Sequence, residues 1–329
     1  METGNMKVLN SKIIKDFALE NGADLVGIGS MERFAGVPPE NDPRFIAPKA
    51  KSIIGLGFRV LRGSLRGVEE GTHFYQFPEV GIVHIDEVHA PIVLRKVSCL
   101  LEDCGFEGVV QRSIPDRRRG EDPGNNPEHA PVFKVNSAEP VAEGKPAPDV
   151  MMDFKQAAYI CSMGEIGLGG FFLTKRFGPF QRFAFILTDA ELEPDAICEE
   201  HLCDKCGKCI AACPGKAISK SGELDEWQCT AYRMGADVKT NPFLSPETVE
   251  SMPDGEEVLN GKKRFTREDI ERYKPLWNEA YPQVRFGYNS SLCGAACQRA
   301  CLVHLEERNI LTDKFVNKFR TGKTWRLEA

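Results

Sequence analysis

Cysteine spacing constrains this chain more than any other feature. The 329 residues include twelve cysteines. Seven of these fall into two blocks, one ending in Pro214: Cys203, Cys206, Cys209 and Cys213, then Cys293, Cys297 and Cys301. The first block has the C-x2-C-x2-C-x3-C-P spacing of bacterial ferredoxins, in which three thiolates bind one [4Fe–4S] cluster and the fourth binds a neighbouring cluster. The sequence therefore predicts iron–sulfur clusters and a role in electron transfer.

The number of ligands predicts two clusters. Two cubanes need eight thiolates, and Cys229, which lies between the blocks, is the natural eighth. The ferredoxin pattern assigns Cys203, Cys206 and Cys209 to a first cluster, with a distant fourth ligand at Cys301. The second cluster then takes the remaining four thiolates, from Cys213, Cys229, Cys293 and Cys297. The other four cysteines are expected to be buried apolar residues: Cys99, Cys104, Cys161 and Cys198.

Two other uses of cysteine fit the sequence less well. Paired C-x2-C blocks also build zinc sites, but zinc needs only four ligands per ion and does not require the C-x3-C-P ending. A disulfide framework is expected in small secreted proteins, whereas this chain is long enough for an ordinary core and begins with no signal peptide. Iron–sulfur clusters remain the prediction.

Composition indicates which classes of partner and which cellular compartment are expected. The formal net charge of −6 disfavours nonspecific nucleic-acid binding, which depends on a broad basic surface. No stretch approaches the ~18 apolar residues of a membrane span. Residues 1–7 contain neither a twin arginine nor a following apolar segment, so a cytoplasmic protein without a membrane partner is expected.

The first half of the chain is predicted to form an α/β domain. A helix is predicted over residues 12–20, ending at Asn21-Gly22, and a helix that starts at Pro91 is predicted to end before Gly105. Short apolar strands are predicted over residues 23–29, 52–58 and 108–111. The alternation of helices and apolar strands is typical of a layered α/β domain.

A proline-rich segment and a glycine run follow. Residues 114–149 lack periodicity, and such long loops are usually disordered or functional, so we expect a lid or pocket wall. After a helix over residues 154–163 comes Gly164-Glu165-Ile166-Gly167-Leu168-Gly169-Gly170. This run is preceded by a helix and followed by strands over residues 171–174 and 182–188, the reverse of a dinucleotide-binding fingerprint. Small residues at this density either form tight turns or let a large planar ligand lie on the backbone.

The predicted domain boundary lies near residue 195. Residues 1–195 are expected to form the α/β domain and residues 196–329 the cluster domain. The cluster domain has an insertion over residues 230–292, with a helix over residues 266–280. An amphipathic helix over residues 302–318 is expected to pack back on the core.

Taken together, these residues resemble the superfamily of cobalamin-dependent reductive dehalogenases and epoxyqueuosine reductases. The resemblance extends from about Ile13 to His304. It rests on the two cysteine blocks and on seven segments of the α/β half. These segments are residues 22–28, 42–44, 50–56, 163–167, 177–182, 187–189 and 192–195. The Gly164-Glu165-Ile166-Gly167 form is closer to the dehalogenases, because epoxyqueuosine reductases usually carry a tryptophan there.

The resemblance implies an α/β (α+β) fold. It consists of a nitroreductase-like core that holds a base-off cobalamin, followed by a ferredoxin-like domain with two [4Fe–4S] clusters. It also implies that the corrinoid contacts mainly backbone groups of the glycine region, around these residues: Gly164, Glu165, Ile166, Gly167, Gly169, Gly178, Pro179 and Arg182. A flavin is the weaker alternative, in which Arg44 and Arg182 contact a phosphate. Both arginines could equally serve a corrinoid side chain or a structural carboxylate.

The expected activity is that of a cytoplasmic reductase acting on a small organic substrate. A low-potential donor such as ferredoxin or flavodoxin would supply electrons, and a general acid within hydrogen-bond reach would supply a proton. The candidate acids, in order, are Asp149, Asp153 and Tyr159. Three alternatives stay open: an epoxyqueuosine-reductase-like enzyme acting on tRNA, a reductase that activates the corrinoid of a partner protein, and a two-cluster electron carrier.

Overall fold

An antiparallel sheet forms the centre of the α/β half. The structure is a computed structural model that describes residues 9–113, 139–281 and 291–319. Four strands pair in the order β1-β2-β6-β3, and a separate two-stranded hairpin pairs β4 with β5. The strands are β1 Leu25–Ser30, β2 Ser52–Arg59, β3 Gly108–Gln111, β4 Glu165–Ile166, β5 Phe172–Leu173 and β6 Gln181–Thr188. The mixed α/β class expected from the sequence is confirmed.

Helices cover the sheet and continue into the C-terminal half. In the described ranges they are α1 Ser11–Glu20, α2 Arg66–Glu70, α3 Gln76–Pro78, α4 Ala90–Asp103, α5 Phe154–Ile160, α6 Lys208–Ala212, α7 Glu226–Met234, α8 Pro246–Glu250, α9 Gly255–Leu259, α10 Arg267–Ala280 and α11 Ala296–Glu307. Short 3-10 turns span 31–34, 39–41, 43–45 and 62–65, and π-helical turns at Glu79–Val83 and Ile85–His89 lead into α4. Among the residues described, none of the helices combines the length and hydropathy that a membrane span requires.

The two faces of the sheet bury different apolar clusters. On one face, Ile14 of α1 and Val97 of α4 pack beneath Ile54 and Ile186. On the other face, α5 joins Phe185 and Leu187 of β6 in a second cluster. The alternating burial of β2 and β6 residues follows from the two-residue period of a strand. The sheet is thus buried on both sides, which explains why β2 is apolar along almost its whole length.

The cluster of the first face continues past the predicted boundary at residue 195. Leu302 and Leu305 of α11, with Leu311, belong to the same apolar cluster as Ile14 and Ile54. Burying such side chains stabilises the contact by roughly 1.5–3 kcal/mol each. The helix that carries Cys301 is therefore held against the α/β half by the main core.

The described part of the insertion, residues 230–281, has an apolar cluster of its own. Tyr273 and Trp277 of α10 stack with ring centroids 5.6 Å apart, and Phe265 contacts both edge-on. Residues of α7, which carries Cys229, belong to this cluster as well. The insertion thus packs on the helix that presents one of the predicted cluster ligands.

The predicted helix over residues 302–318 is wrong in its bounds. Helix α11 starts earlier, at Ala296, and ends at Glu307. Asn309 follows with φ +56°, a left-handed conformation that ends helices and that asparagine tolerates. Beyond it, the chain is held by Arg62, whose guanidinium lies 4.6 Å from the ring centre of Phe315 and 4.0 Å from that of Phe319. Cation–π contacts replace the expected helical packing.

Candidate iron–sulfur site

Four of the predicted ligands surround one cavity. Cys203, Cys206 and Cys209 come from the loop before α6 and from its first turn, and Cys301 comes from α11. The thiol of Cys301 interacts electrostatically with all three of the others. We call these four cysteines group one. The distant fourth ligand that the ferredoxin pattern assigns to this group is thus brought beside the other three.

The group one loop is curled by its backbone and tied to α11 by its side chains. Lys205 has φ +57° and Gly207 has φ +73°, so the chain turns back between successive cysteines. The Asp204 carboxylate accepts a hydrogen bond from the Cys206 N–H at 3.2 Å and lies 2.8 Å from Nε2 of His304. That contact with His304 lowers the pKa of Asp204. Asp204 therefore joins the loop to the helix that carries Cys301.

The glycine run lies directly against group one. The Leu168 N–H donates a hydrogen bond to Cys203 Sγ at 3.3 Å. A Cβ added at Gly169 would lie 3.2 Å from Cys209 Sγ, and one added at Gly167 would lie 3.6 Å from Cys203 Sγ. The Glu165 carboxylate accepts a hydrogen bond from the Cys203 N–H. The run contains β4 and, from Gly167 to Gly170, most of the loop between β4 and β5. Gly167 and Gly169 thus place no side chain beside the two sulfur atoms.

The other four predicted ligands form a second set, in which every cysteine is partly buried. Cys213 follows α6, Cys229 lies on α7, Cys293 precedes α11 and Cys297 lies in its first turn. Electrostatic interactions connect the thiol of Cys297 with those of Cys213, Cys229 and Cys293. We call these four cysteines group two. The Ala217 N–H donates a hydrogen bond to Cys213 Sγ at 3.3 Å, so each group contains a sulfur that accepts a backbone hydrogen bond.

Burial favours the protonated thiols in both groups. It raises the pKa of Cys229 to about 11, and neighbouring thiols add to the effect. Burial likewise raises the pKa of Cys293 and Cys297, and it raises that of Cys301 to about 12. Because metals bind the thiolate, loading these sites with iron must displace protons.

The donor sets fit two cubane clusters better than two zinc ions. Each group offers four thiols, which suits a [4Fe–4S] cluster and a four-cysteine zinc site alike. The connectivity differs, however, because the run from Cys203 to Cys213 contributes three members to group one and its last member to group two. That sharing is the ferredoxin arrangement.

A separate open cavity lies at the start of α5. It has a volume of about 580 Å³ and is lined by Asn41, Gln111 to Ser113 and Met151 to Phe154, among others. That volume lies within the roughly 300–1,000 Å³ range of small-molecule sites. Lys155, in the first turn of α5, donates a hydrogen bond from Nζ to the Gly170 carbonyl at 3.0 Å. The cavity and the glycine run are thus joined through one turn of helix.

The three candidate acids occupy different places. Asp153 lines the cavity and caps α5, accepting hydrogen bonds from the N–H groups of Lys155 at 2.8 Å and Gln156 at 3.2 Å. Asp149 is exposed and is not among the lining residues. Tyr159 is 41% exposed on α5, also away from the lining. Residues 114–138 of the expected lid lie outside the described residues, and 139–149 are described.

The residues named for the corrinoid do not share one cavity. Gly167 and Gly169 line the group one cavity, whereas Gly178 and Pro179 are buried. A Cβ at Gly178 would lie 3.2 Å from both Leu302 and Leu305 of α11. Gly164, with φ +150°, lies against the Leu173 carbonyl, and Ile166 is 48% exposed. Of the predicted set, the group one cavity thus brings together Gly167 and Gly169.

The two arginines considered for a phosphate both contact carboxylates. Arg182 donates to buried Asp86, at 2.5 Å from Nη2 and 3.0 Å from Nε, and to Ser113 Oγ at 2.9 Å. Arg44 donates to Asp42, at 2.7 Å from Nη2. The structural-carboxylate alternative is thus the one that the structure supports. Arg182 still reaches the open cavity indirectly, because Ser113 lines it.

Four cysteines belong to neither group, and two arginines lie near group two. Cys104 and Cys161 are buried as expected, whereas Cys99 and Cys198 are only half-buried. Sequence reasoning gave no role to Arg233 and Arg299, which lie beside group two. Their spacing from Cys229 and Cys297 places them close in sequence, but nothing in the sequence alone shows that helix packing brings both to one group.

Comparison with known proteins gives a partial match. No family model matches the chain. Over 60 residues, 17% of the chain, it is 43% identical to tetrachloroethene reductive dehalogenases from Desulfitobacterium hafniense and Dehalobacter restrictus. The chain covers 11% of the length of those proteins. The resemblance to reductive dehalogenases that the motifs predict is confirmed over that segment.

Similar solved structures come from both classes named in the resemblance. An epoxyqueuosine reductase from Streptococcus thermophilus aligns with 92% of this chain and 83% of its own, at 15% identity and a TM-score of 0.45. A catabolic reductive dehalogenase in complex with 3-bromo-4-hydroxybenzoic acid aligns with 83% of this chain and 37% of its own, at 15% identity and a TM-score of 0.48.

Proposed function

We propose that this chain is an oxidoreductase that holds two [4Fe–4S] clusters and delivers their electrons to a small organic substrate. The observation that carries the proposal is the arrangement of eight cysteines in two groups of four, with the ferredoxin run shared between them. Cys203, Cys206, Cys209 and Cys301 would hold one cluster. Cys213, Cys229, Cys293 and Cys297 would hold the other.

The glycine run is proposed as the side from which electrons leave group one. It donates a hydrogen bond to one sulfur of group one and reaches the first turn of α5 through Lys155. The open cavity at α5 begins at that turn. Substrate in this cavity would lie on the α/β side of group one, while group two would lie on the side of the insertion.

The second cofactor is proposed from the resemblance to reductive dehalogenases and from the sequence match to them. Cobalamin, when bound without its lower axial base, supplies a low-valent cobalt centre that can reduce carbon–halogen bonds. The chain's own contributions would be the cavity, the polar groups on its wall and the two cysteine groups. A ferredoxin or flavodoxin is the proposed electron donor.

Spectroscopy tests the cofactors directly. The chain is reconstituted anaerobically with iron and sulfide and then mixed with cob(II)alamin. We expect two cubane signals in the EPR spectrum after reduction, and a cobalt signal that has lost its nitrogen superhyperfine splitting. If the clusters form but the cobalt signal does not change, the chain does not bind cobalamin in the proposed way. The alternatives would then be a flavin, a corrinoid held by a partner protein, or a role as an electron carrier. If the chain reduces epoxyqueuosine in tRNA, the proposed small organic substrate is wrong and the epoxyqueuosine-reductase alternative takes its place.

Asp153 is the acid that the cavity geometry favours, since it is the only one of the three candidates among the lining residues. In Asp153→Asn, the amide keeps the helix cap, because asparagine caps helices about as well as aspartate. We expect unchanged thermal stability and a fall in turnover of 10²-fold or more, typical of a lost general acid. Asp149→Asn is the matched control, expected to keep full turnover. Equal turnover in both variants would exclude Asp153.

A further inference from the structure

A buried ion pair lies behind one wall of the open cavity. Asp86, in the π-helical turn Ile85–His89, is 2% exposed. Arg182 of β6 donates from Nε to both carboxylate oxygens of Asp86, at 3.0 and 3.1 Å, and from Nη2 to one of them at 2.5 Å. Contacts of this kind between a guanidinium and a carboxylate fix the geometry of both groups. The position of the Arg182 guanidinium is therefore determined from within the fold.

The same guanidinium holds a side chain of the cavity wall. Its Nη2 donates to Ser113 Oγ at 2.9 Å, and Ser113 is one of the lining residues. A guanidinium has donors and no acceptor, so the hydroxyl of Ser113 accepts this hydrogen bond and keeps its own proton. Within the part of the chain that the structure describes, no group accepts that proton. The Ser113 O–H is thus available to a molecule in the cavity.

The charge of Arg182 makes Ser113 a stronger donor. Hydrogen bonds in a chain polarise one another, so a hydroxyl that accepts from a cation donates more strongly in turn. Ser113 is half-buried, which reduces competition from water. Because Asp86 fixes Arg182 and Arg182 fixes the serine oxygen, the wall presents one oriented donor.

The charges around the cavity favour an uncharged ligand. Among the described lining residues, Arg112 is the one cation, and its Nη1 donates to Glu87 at 2.7 Å. Arg182, behind the wall, is paired with Asp86. The other ionisable lining residue, Asp153, is an acid. An oxyanion would therefore meet no cation free of a carboxylate partner, while an uncharged oxygen acceptor costs far less to remove from water.

The rest of the wall suits an aromatic body. Pro38, Met151, Met152 and Phe154 line the cavity, and the Phe154 ring is held edge-on against Phe185 with ring centroids 4.9 Å apart. Aromatic rings make favourable contacts with one another and with methionine sulfur. The cavity thus combines an apolar surface with one oriented hydroxyl donor.

We infer that Ser113 determines substrate specificity at this cavity, and that its hydroxyl donates to a carbonyl-type oxygen of an uncharged aromatic substrate. This inference rests on the proposed function, which places the substrate here, and it adds the class of substrate. Ser113 forms and breaks no covalent bond; it selects and orients the molecule to be reduced. An analogue without the oxygen leaves the hydroxyl without a partner, which is how hydrogen-bonding sites reject such analogues.

Binding of three probes to the reconstituted full chain tests the inference without turnover. Acetophenone carries the carbonyl, ethylbenzene has a similar shape without oxygen, and benzoate carries an oxyanion. Saturation-transfer NMR titrations give a Kd for each probe. In Ser113→Ala, the Kd of acetophenone is expected to rise about fivefold, as for the loss of one net hydrogen bond, while that of ethylbenzene stays the same. The wild type is expected to bind benzoate more weakly than acetophenone.

Two further variants separate the hydroxyl from general effects on the cavity. Ser113→Thr keeps a hydroxyl and is expected to keep the wild-type Kd for acetophenone, because the open cavity has room for one methyl group. Ser221→Ala, which changes an exposed serine that contacts Ser219 and Glu223, is expected to change no Kd. Thermal unfolding checks that every variant is folded, and all of them keep the ion pair behind the wall.

Three results would overturn the inference: equal changes for acetophenone and ethylbenzene in Ser113→Ala, tighter binding of benzoate than of acetophenone by the wild type, or no binding of acetophenone at all. The proposed function fails separately. A chain that forms no cubane clusters would overturn that function, while a fivefold effect of Ser113→Ala on acetophenone alone would still establish the hydroxyl as a donor to a ligand.

Discussion

The two cysteine groups have the same number of thiols and very different surroundings. Group one includes an exposed cysteine, Cys206, and lies against the glycine run of the α/β half. Group two has no exposed cysteine and lies between α7 and α11, near the insertion and two arginines. The two groups thus differ in exposure and in what they contact: group one faces the glycine run, and group two faces the insertion.

Removing one ligand from each group has the largest expected effect. In Cys297→Ala, group two loses one of its four ligands, and iron content should fall from about eight to about four atoms per chain. Cys301→Ala should cause the same loss from group one. Iron and sulfide analysis after anaerobic reconstitution measures both. Cys198→Ala is the matched control with full iron content; loss of all iron in either ligand variant would contradict two separable groups.

The second-largest expected effect is a difference in alkylation rate between the cysteines of the two groups in the iron-free chain. Cys206 is exposed, whereas burial raises the pKa of Cys229 to about 11. Because only the thiolate reacts, the Cys229 rate should rise about tenfold per pH unit up to about pH 11. At pH 8 we expect Cys206 to react on the order of 100 times faster. Mass spectrometry of iodoacetamide-treated protein reports each site, and equal rates in the folded chain would show that group two is open.

A side chain in the glycine run should affect group one alone. A Cβ in Gly169→Ala would lie 2.4 Å from the Phe171 ring and 3.2 Å from Cys209 Sγ. Overpacking of this kind costs about 1–3 kcal/mol, and iron at group one should be lost faster to a chelator. Gly63→Ala, whose Cβ would meet nothing within 4 Å, is the control. Faster loss from group two instead would show that the glycine run serves the other site.

The smallest expected effect comes from removing a helix cap in the insertion, which should leave group one unaffected. Thr266 caps α10, accepting from the Asp269 N–H at 3.3 Å, while Asp269 accepts from the Thr266 N–H at 3.0 Å. Thr266→Ala should cost about 1 kcal/mol in the free energy of unfolding. We expect a chelator to remove group two iron slightly faster, because α10 packs on α7. Thermal unfolding and iron release measure the two effects, with Ser245→Ala, which removes the cap of α8, for comparison.

Local patterns predicted much of this organisation. Helix α1 begins at Ser11 and ends at Glu20 because Asn10 caps its start and Asn21-Gly22 stop it, and these signals are all local. The partition of the cysteines was also open to prediction, because ferredoxin spacing itself implies that the fourth thiol of the run belongs to the other group.

What the sequence could not predict depends on tertiary packing. Gly178, which was predicted to lie at the corrinoid, packs under α11, where Leu302 and Leu305 approach its backbone. The end of α11 at Glu307 depends on a left-handed Asn309, which the amphipathic pattern does not reveal. The hydrogen bond from Arg299 to the Gly294 carbonyl likewise depends on how the chain turns before α11.

Mössbauer spectroscopy of the chain reconstituted with ⁵⁷Fe tests the central claim most directly, together with analysis for iron, sulfide and zinc. The account predicts about eight iron and eight sulfide per chain, in two cubane components that separate on partial reduction. Cys297→Ala should lose one of these components, and Cys301→Ala should lose the other. Two zinc ions without sulfide, or a single cluster that both ligand variants abolish, would contradict it.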